Sequence, residues 1–165
     1  MTTTPSAPNQ QADSGSEKGP ALSGLEALRR NLAKGGPRSP ISELMDFHSV
    51  EFDDGKAQMQ GNPGHKHYNP IGIVHGGFAA TLLDAAMWSA VHTTLPAGMA
   101  STTLELKINY LRPMTVDTGP VLCEGKVISR GKRTALAEAS IRDRAGKLYA
   151  HGTSTLLLMG APGEG

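Results

Sequence analysis

Between residues 22 and 33, apolar side chains recur at Leu22, Leu25, Leu28 and Leu32, a spacing that gathers them on one face of a helix. Gly35, Gly36 and Pro37 stop the pattern, so the reading is a short amphipathic helix followed by a linker. Met45 to Asp53 and Lys56 to Gln60 read as a strand pair, and Asp54-Gly55 between them is the kind of dipeptide that takes the positive backbone dihedrals of a tight hairpin turn. Residues 61 to 74 hold three Gly, two Pro and two His without a period, and predict a loop. From Gly76 to Leu95 the chain is apolar nearly all round, with no Gly or Pro after Gly77 until Pro96 and Gly98 close it. A helix apolar on every side must be wrapped by other elements. The wrapping follows at once: Thr102, Leu104, Leu106, Ile108 and Tyr110 alternate with Thr103, Glu105, Lys107 and Asn109, the period of a strand with one buried face.

Three more strands are predicted, near Val121 to Arg130, Thr134 to Asp143 and Leu148 to Met159, joined by loops at Arg130-Gly131-Lys132 and Arg144-Ala145-Gly146. Such short joins make antiparallel hairpins and exclude the crossover helices of a parallel sheet. The order is strand, strand, long helix, four strands, which an α+β fold satisfies when an antiparallel sheet curls round one long central helix. At 165 residues the chain is one domain with a real core. Residues 1–20 are rich in Ser, Thr, Pro and Gln and read as a disordered tail. Residues 21–37 form the helix and linker, and 38–160 the folded domain.

Charge and cysteine usage narrow the functions on offer. Sixteen Lys and Arg against fifteen Asp and Glu leave a formal charge of +1, which argues against a general nucleic-acid binder or a membrane-attracted surface. The single cysteine, Cys123, has no disulfide partner in the chain, and a reducing compartment fits best. The first twenty residues contain Lys18 as their only basic residue and no apolar stretch, so the expected location is the cytoplasm. Two histidines at His65-Lys66-His67 lack a third ligand in sequence, and the segment reads as an ordinary exposed loop; no metal and no cofactor is expected.

Asp84 is the only charged side chain from Gly76 to Leu95, where its neighbours predict burial. Two readings stand: a carboxylate that reaches a surface edge, or one held in a site because burying it unpaired would be costly. Just upstream, His75-Gly76-Gly77 opens the helix. Its backbone N–H groups lie at the positive end of the helix, where an anion or a polarised carbonyl can approach closely. Gly76 and Asp84 are eight residues apart, ~12 Å along a helix. One helix therefore cannot close such a site, and a second copy packed antiparallel would have to supply the missing half.

The run Asn69-Pro70-Ile71-Gly72-Ile73-Val74-His75-Gly76-Gly77, followed by Asp84, resembles the hotdog-fold acyl-CoA thioesterases of the phenylacetate-degradation, or PaaI-like, type. In that family an Asn stands six before the His, a Gly three before it and an Asp nine after it, and this chain meets all three spacings. The likeness extends through Lys107 to Pro113 and the Gly131-Lys132-Arg133 hairpin, roughly residues 42 to 159. It implies a hotdog fold, hydrolysis of an acyl- or aryl-acyl-CoA thioester, and a homodimer or homotetramer with sites at the dimer interface. It further implies Asp84 as general base or nucleophile and the Gly76 amide as the oxyanion donor, supported by His75 and Asn69. A hydroxyl at Thr103, where the family often has Ser, or at Thr102, would place the attacking water. Gly77 would sit against the substrate, and Arg130, Lys132 and Arg133 either bind coenzyme A phosphates or form a solvated basic turn.

An α/β-hydrolase is the first rival, because His75-Gly76-Gly77-Phe78 resembles a lipase oxyanion loop, but the chain has no Gly-x-Ser-x-Gly elbow. The second is a non-catalytic acyl-CoA-binding or sensor hotdog protein, since a fold does not fix a function. A hotdog dehydratase would want its Asp and His at another spacing. Phe78, Met87 and Trp88 are read as core, His92 and His151 as hydrogen-bonded structural histidines, and Cys123 as a small core residue.

Overall fold

The computed structural model describes residues 21–36 and 38–160, so the tail assigned to residues 1–20 lies outside the described residues. The elements run α1 (Gly24–Ala33), α2 (Pro40–Leu44), β1 (Phe47–Asp53), β2 (Lys56–Gly61), α3 (Gly76–Thr93), β3 (Ala100–Tyr110), β4 (Val121–Arg130), β5 (Thr134–Asp143) and β6 (Leu148–Met159), with 3-10 turns at His65–His67 and Val116–Thr118. The strands form one six-stranded sheet in the order β1-β2-β4-β5-β6-β3, and every neighbouring pair is antiparallel. The sheet curls round α3, whose Phe78, Leu82, Leu83, Ala86, Met87 and Val91 are at most 1% exposed. This is the hotdog fold. Helix and sheet come very close at Gly125 of β4, where a Cβ would stand 2.4 Å from the Ala86 carbonyl oxygen; only glycine fits.

Local signals explain the short helices. Ser23 caps α1 reciprocally with Glu26, the hydroxyl accepting from the Glu26 amide and the carboxylate from the Ser23 amide. α1 ends where Gly35, at φ 57°, donates to Leu32 O and Gly36 donates to Asn31 O, the left-handed cap that releases a helix into a linker. α2 was not expected. Five residues are too few for a period to show, but Ser39 as cap and Pro40 in the first turn are its signature.

Three expectations need correction. In the β1–β2 hairpin only Gly55 takes a positive φ, 69°, and Asp54 does not. β3 does not keep one alternation: its pairing with β6 shifts between Thr103 and Glu105, leaving Leu104 as the extra residue of a bulge. The bulge swaps faces, so Ser101 and Thr103 turn inward before it and Leu106 and Ile108 after it, while Thr102 is exposed and Leu104 is 57% exposed. Lastly, His67 is buried rather than in an open loop. Its Nδ1 accepts from the Gly64 amide at 3.0 Å and its ring packs on Phe78. No helix among the described residues is long and apolar enough to cross a membrane.

Candidate active site

Asp84 sits on the face of α3 that the curled sheet leaves open, and it is only partly buried. Its apolar neighbours on α3 predict burial, but the carboxylate is half-exposed and lines a cavity. Thr103 Oγ1 donates to Asp84 Oδ1 at 2.8 Å, an arrangement that requires Thr103 to face inward. The hydroxyl left open between Thr102 and Thr103 is therefore the Thr103 one as far as contact with Asp84 goes. One carboxylate oxygen is held by Thr103, which fixes the plane of the group and leaves the other oxygen to a ligand.

The cavity beside Asp84 has a volume of about 530 Å³ and mixes apolar side chains of α1, α2, β1, β2 and α3 with polar ones, among them Asn31, Arg38, His48 and Ser89. Trp88, read from sequence as core, lines it too, one turn along α3 from Asp84. Its indole Nε1 donates to Ser101 O at 3.0 Å and its ring stacks on His92 at 4.7 Å. Helical spacing from Asp84 was the available signal. Phe78 and Met87 do belong to the core.

At the N-terminus of α3 a second group assembles. Asn69 shapes the approach: its Oδ1 accepts from the amides of Ile71 and Ile73 at 3.1 and 3.2 Å, closing a turn in which Gly72 has φ 82°. His75 caps the helix, with Nδ1 accepting from the Gly77 amide at 2.8 Å and its own amide donating to His67 O. An accepting Nδ1 puts the neutral ring's proton on Nε2. Because the Gly77 amide is engaged, Gly77 does not offer the donor expected of it. Its contribution is room beside the imidazole, where a Cβ would lie 2.9 Å from Nδ1. The Gly76 amide, in the first turn, makes no hydrogen bond within the described residues and is the open donor at the positive end of the helix. Tyr110, not singled out in the sequence, brings its hydroxyl to Gly76 O at 3.3 Å. Asn69, His75 and Gly77 line a separate cavity of about 390 Å³.

Within one chain, then, Asp84 lines one cavity while Gly76 lies ~12 Å away along α3, between His75 and Gly77, which line the other. Arg130, Lys132 and Arg133 are all exposed at the β4–β5 turn. Arg133 O accepts from Leu158, near the Ala100 end of β3, whereas Gly76 lies at its Tyr110 end. The chain by itself does not bring the basic turn to Gly76. Elsewhere, burial pushes the Cys123 thiol up, away from reactivity. His151 pairs with Glu138 at 3.6 Å on the sheet surface, while the buried His92 Nδ1 has no partner among the described residues, contrary to the hydrogen-bonded role expected of it.

Residues 71–150 match the Thioesterase superfamily. A Saccharolobus solfataricus protein named for esterase activity is 35% identical over 116 residues, covering 68% of this chain and 75% of its own. Human acyl-coenzyme A thioesterase 13 is 30% identical over 107 residues, covering 64% of this chain and 75% of its own. The PaaI protein of the Escherichia coli phenylacetic acid degradation operon superposes with a TM-score of 0.73 over 83% of this chain and 96% of that one, at 20% identity, a likeness of fold. Relatives matched over three quarters of their length, on a fold whose open helix face carries a pinned carboxylate, establish that the chain belongs to the thioesterase superfamily and is a hotdog thioester hydrolase.

Proposed function

We propose that the protein hydrolyses acyl- or aryl-acyl-CoA thioesters to the free acid and coenzyme A, in the cytoplasm, as a dimer whose sites each draw on two chains. The observation that carries this reading is the division of labour along α3. Asp84, held by Thr103 at 2.8 Å, opens on a cavity of about 530 Å³, and the unclaimed Gly76 amide lies eight residues up the same helix. A two-fold axis that packs α3 against its copy antiparallel sets the Gly76 amide of one chain near Asp84 of the other. β3 supports such pairing: it is eleven residues long, at the sheet edge, and carries the exposed Leu104 and Tyr110, an edge that a protein seldom leaves uncovered. In the same arrangement the partner's basic turn comes to the Gly76 end, where Arg130, Lys132 and Arg133 can neutralise coenzyme A phosphates.

In the reaction, Asp84 takes a proton from water as the water oxygen bonds to the thioester carbon. The carbonyl oxygen gathers the negative charge and the Gly76 amide stabilises it. The C–S bond then breaks, coenzyme A leaves as thiolate, and the proton held by Asp84 returns to the products. His75 fixes the first turn that aims the amide, and Asn69 the loop that leads into it.

The test is free-thiol release from benzoyl-, phenylacetyl-, hexanoyl- and palmitoyl-CoA by the native protein and by Asp84→Asn. A general base contributes ~10²–10⁴-fold, so turnover should fall by that factor while binding persists. Tight binding of these esters by the native protein with no thiol release from any of them would instead make it an acyl-CoA sensor.

A further inference from the structure

The open cavity beside Asp84 is lined in large part by residues outside the 71–150 stretch that matches the superfamily. Leu28 and Leu32 come from α1, Ile41 from α2 and Phe47 from β1, and they share the cavity with Trp88 of α3. Leu32 and Ile41 are 36% and 49% exposed, so they contribute little to the core that holds the domain together. Apolar side chains left half in water round a concave space are what an apolar ligand covers.

The α1 part of this wall is fixed in place. The Gly24 amide donates to Leu95 O at 2.9 Å, and Gly24 rests so closely on the last turn of α3 that a Cβ would stand 1.9 Å from His92 O. Arg29 ties the middle of α1 to β1, Nε donating to Phe52 O at 2.9 Å and the guanidinium pairing with Asp53 at 3.1 Å. Leu25 and Leu28 pack on Phe52, Ala57 and Ala90. With α1 anchored at these points, that side of the pocket is preformed, and a preformed wall discriminates ligands by size without the entropy of ordering a loop.

We infer that α1 and α2 select the acyl group, and that the chamber takes an apolar acyl chain or ring of several carbons in preference to acetyl. This rests on the acyl-CoA reading above. With the thioester carbon at Asp84, the acyl group extends away from the Gly76 end and along Trp88 towards Leu32 and Ile41. The chamber, about 530 Å³, falls in the middle of the range for pockets that enclose whole small molecules, ~300–1,000 Å³. A two-carbon acyl group would leave most of it to water. Polar side chains such as Asn31 and His48 share the lining, but Leu28, Leu32, Ile41, Phe47 and Trp88 offer an acyl chain apolar surface, and each buried methylene contributes ~0.8 kcal/mol, ~4-fold in affinity.

Binding and turnover are measured separately. Trp88 is the chain's single tryptophan, so its fluorescence reports occupancy of the chamber. The full-length protein, Leu32→Phe/Ile41→Phe, and Ile41→Asp are titrated with the non-hydrolysable thioethers S-decyl-CoA and S-ethyl-CoA. The native protein should bind S-decyl-CoA at least ~10-fold more tightly, with a shift of Trp88 emission. Both variants, altered at half-exposed positions and checked for unchanged melting, should lose at least ~10-fold for S-decyl-CoA and less than ~2-fold for S-ethyl-CoA. Equal binding of the two thioethers by the native protein, or folded variants that keep the native decyl-to-ethyl ratio, would overturn the inference. A preserved size preference with no turnover of any acyl-CoA would overturn the enzymatic reading alone.

Discussion

Thr103 Oγ1 donates to Asp84 Oδ1 across 2.8 Å, joining the edge strand β3 to the open face of α3. The contact depends on the bulge at Leu104, which lets Thr103 face inward on the same strand as Leu106 and Ile108. A hydrogen bond to a charged group contributes ~1.5–3 kcal/mol, so Thr103→Val, which keeps the shape and removes the hydroxyl, should lower kcat ~10–100-fold. KM should change little, and Thr103→Ser should restore most of the rate. A valine variant with unchanged kcat would mean that the hydroxyl only fills space.

The Gly76 amide can be removed without disturbing the helix. Proline is accepted in the first turn, and His75, at φ −61° and ψ 139°, already has the extended conformation that a following proline demands. A Cβ there meets the Tyr110 ring at 3.2 Å, so Gly76→Ala serves as the steric control. Loss of one oxyanion donor costs ~10²–10³ in kcat. The proline variant should show that loss and the alanine variant no more than a tenth of it in fold terms. Equal losses in the two would assign the effect to Tyr110.

If each site takes its carboxylate from one chain and its amide from the other, two dead variants rescue each other. Asp84→Asn and Gly76→Pro proteins, inactive apart, should regain activity when unfolded together and refolded in equal amounts. Half of the dimers are then mixed, and each mixed dimer has one intact site, so about a quarter of native activity is expected. Gel filtration of the mixture confirms the assembly state. Dimers that form and exchange but stay inactive would place both groups of a site on one chain.

Much of this arrangement was legible in the residues themselves. The apolar run of α3 demanded a wrapping sheet, and the six-stranded sheet supplies it. Asn69, His75, Gly76 and Asp84 stood out because spacing along one loop and one helix is a local property. What stayed hidden depended on contacts between distant segments. The bulge at Leu104 leaves no mark on an alternating strand until its partner β6 sets the register. Trp88 looked like core because nothing in its neighbours says that the far side is hollow, and Leu32 and Ile41 acquire meaning only when α1 and α2 fold across β1. Gly77 was credited with a donor that His75, two residues earlier, had already taken.

Two histidines with lowered pKa, the buried His67 and the half-buried His92, make stability depend on pH. Burial lowers the pKa of His67, assisted by the charge of Lys66, against the opposing pull of the Leu44 carbonyl and Asp46. Burial alone lowers that of His92, stacked on Trp88. A folded-state value below the ordinary 6.5 means that the unfolded chain binds more protons in this window. Stability is therefore complete above pH ~6.5 and falls as the pH drops towards the folded-state values. Asp46 works lower down: burial tends to raise its pKa, but Asn62, Lys66 and Arg38 outweigh it and hold the value below 3.8, so its contribution is lost only in stronger acid. Melting curves between about pH 5.5 and 7.5 thus isolate the histidines. The native Tm should hold near neutrality and decline below 6.5. His92→Phe, which keeps the stacking, and His67→Gln, whose amide oxygen can still accept from Gly64, should each flatten part of that decline. A native Tm that stays level to about pH 5.5, or a slope unchanged in both variants, would mean that these rings reach water and titrate without cost to the fold.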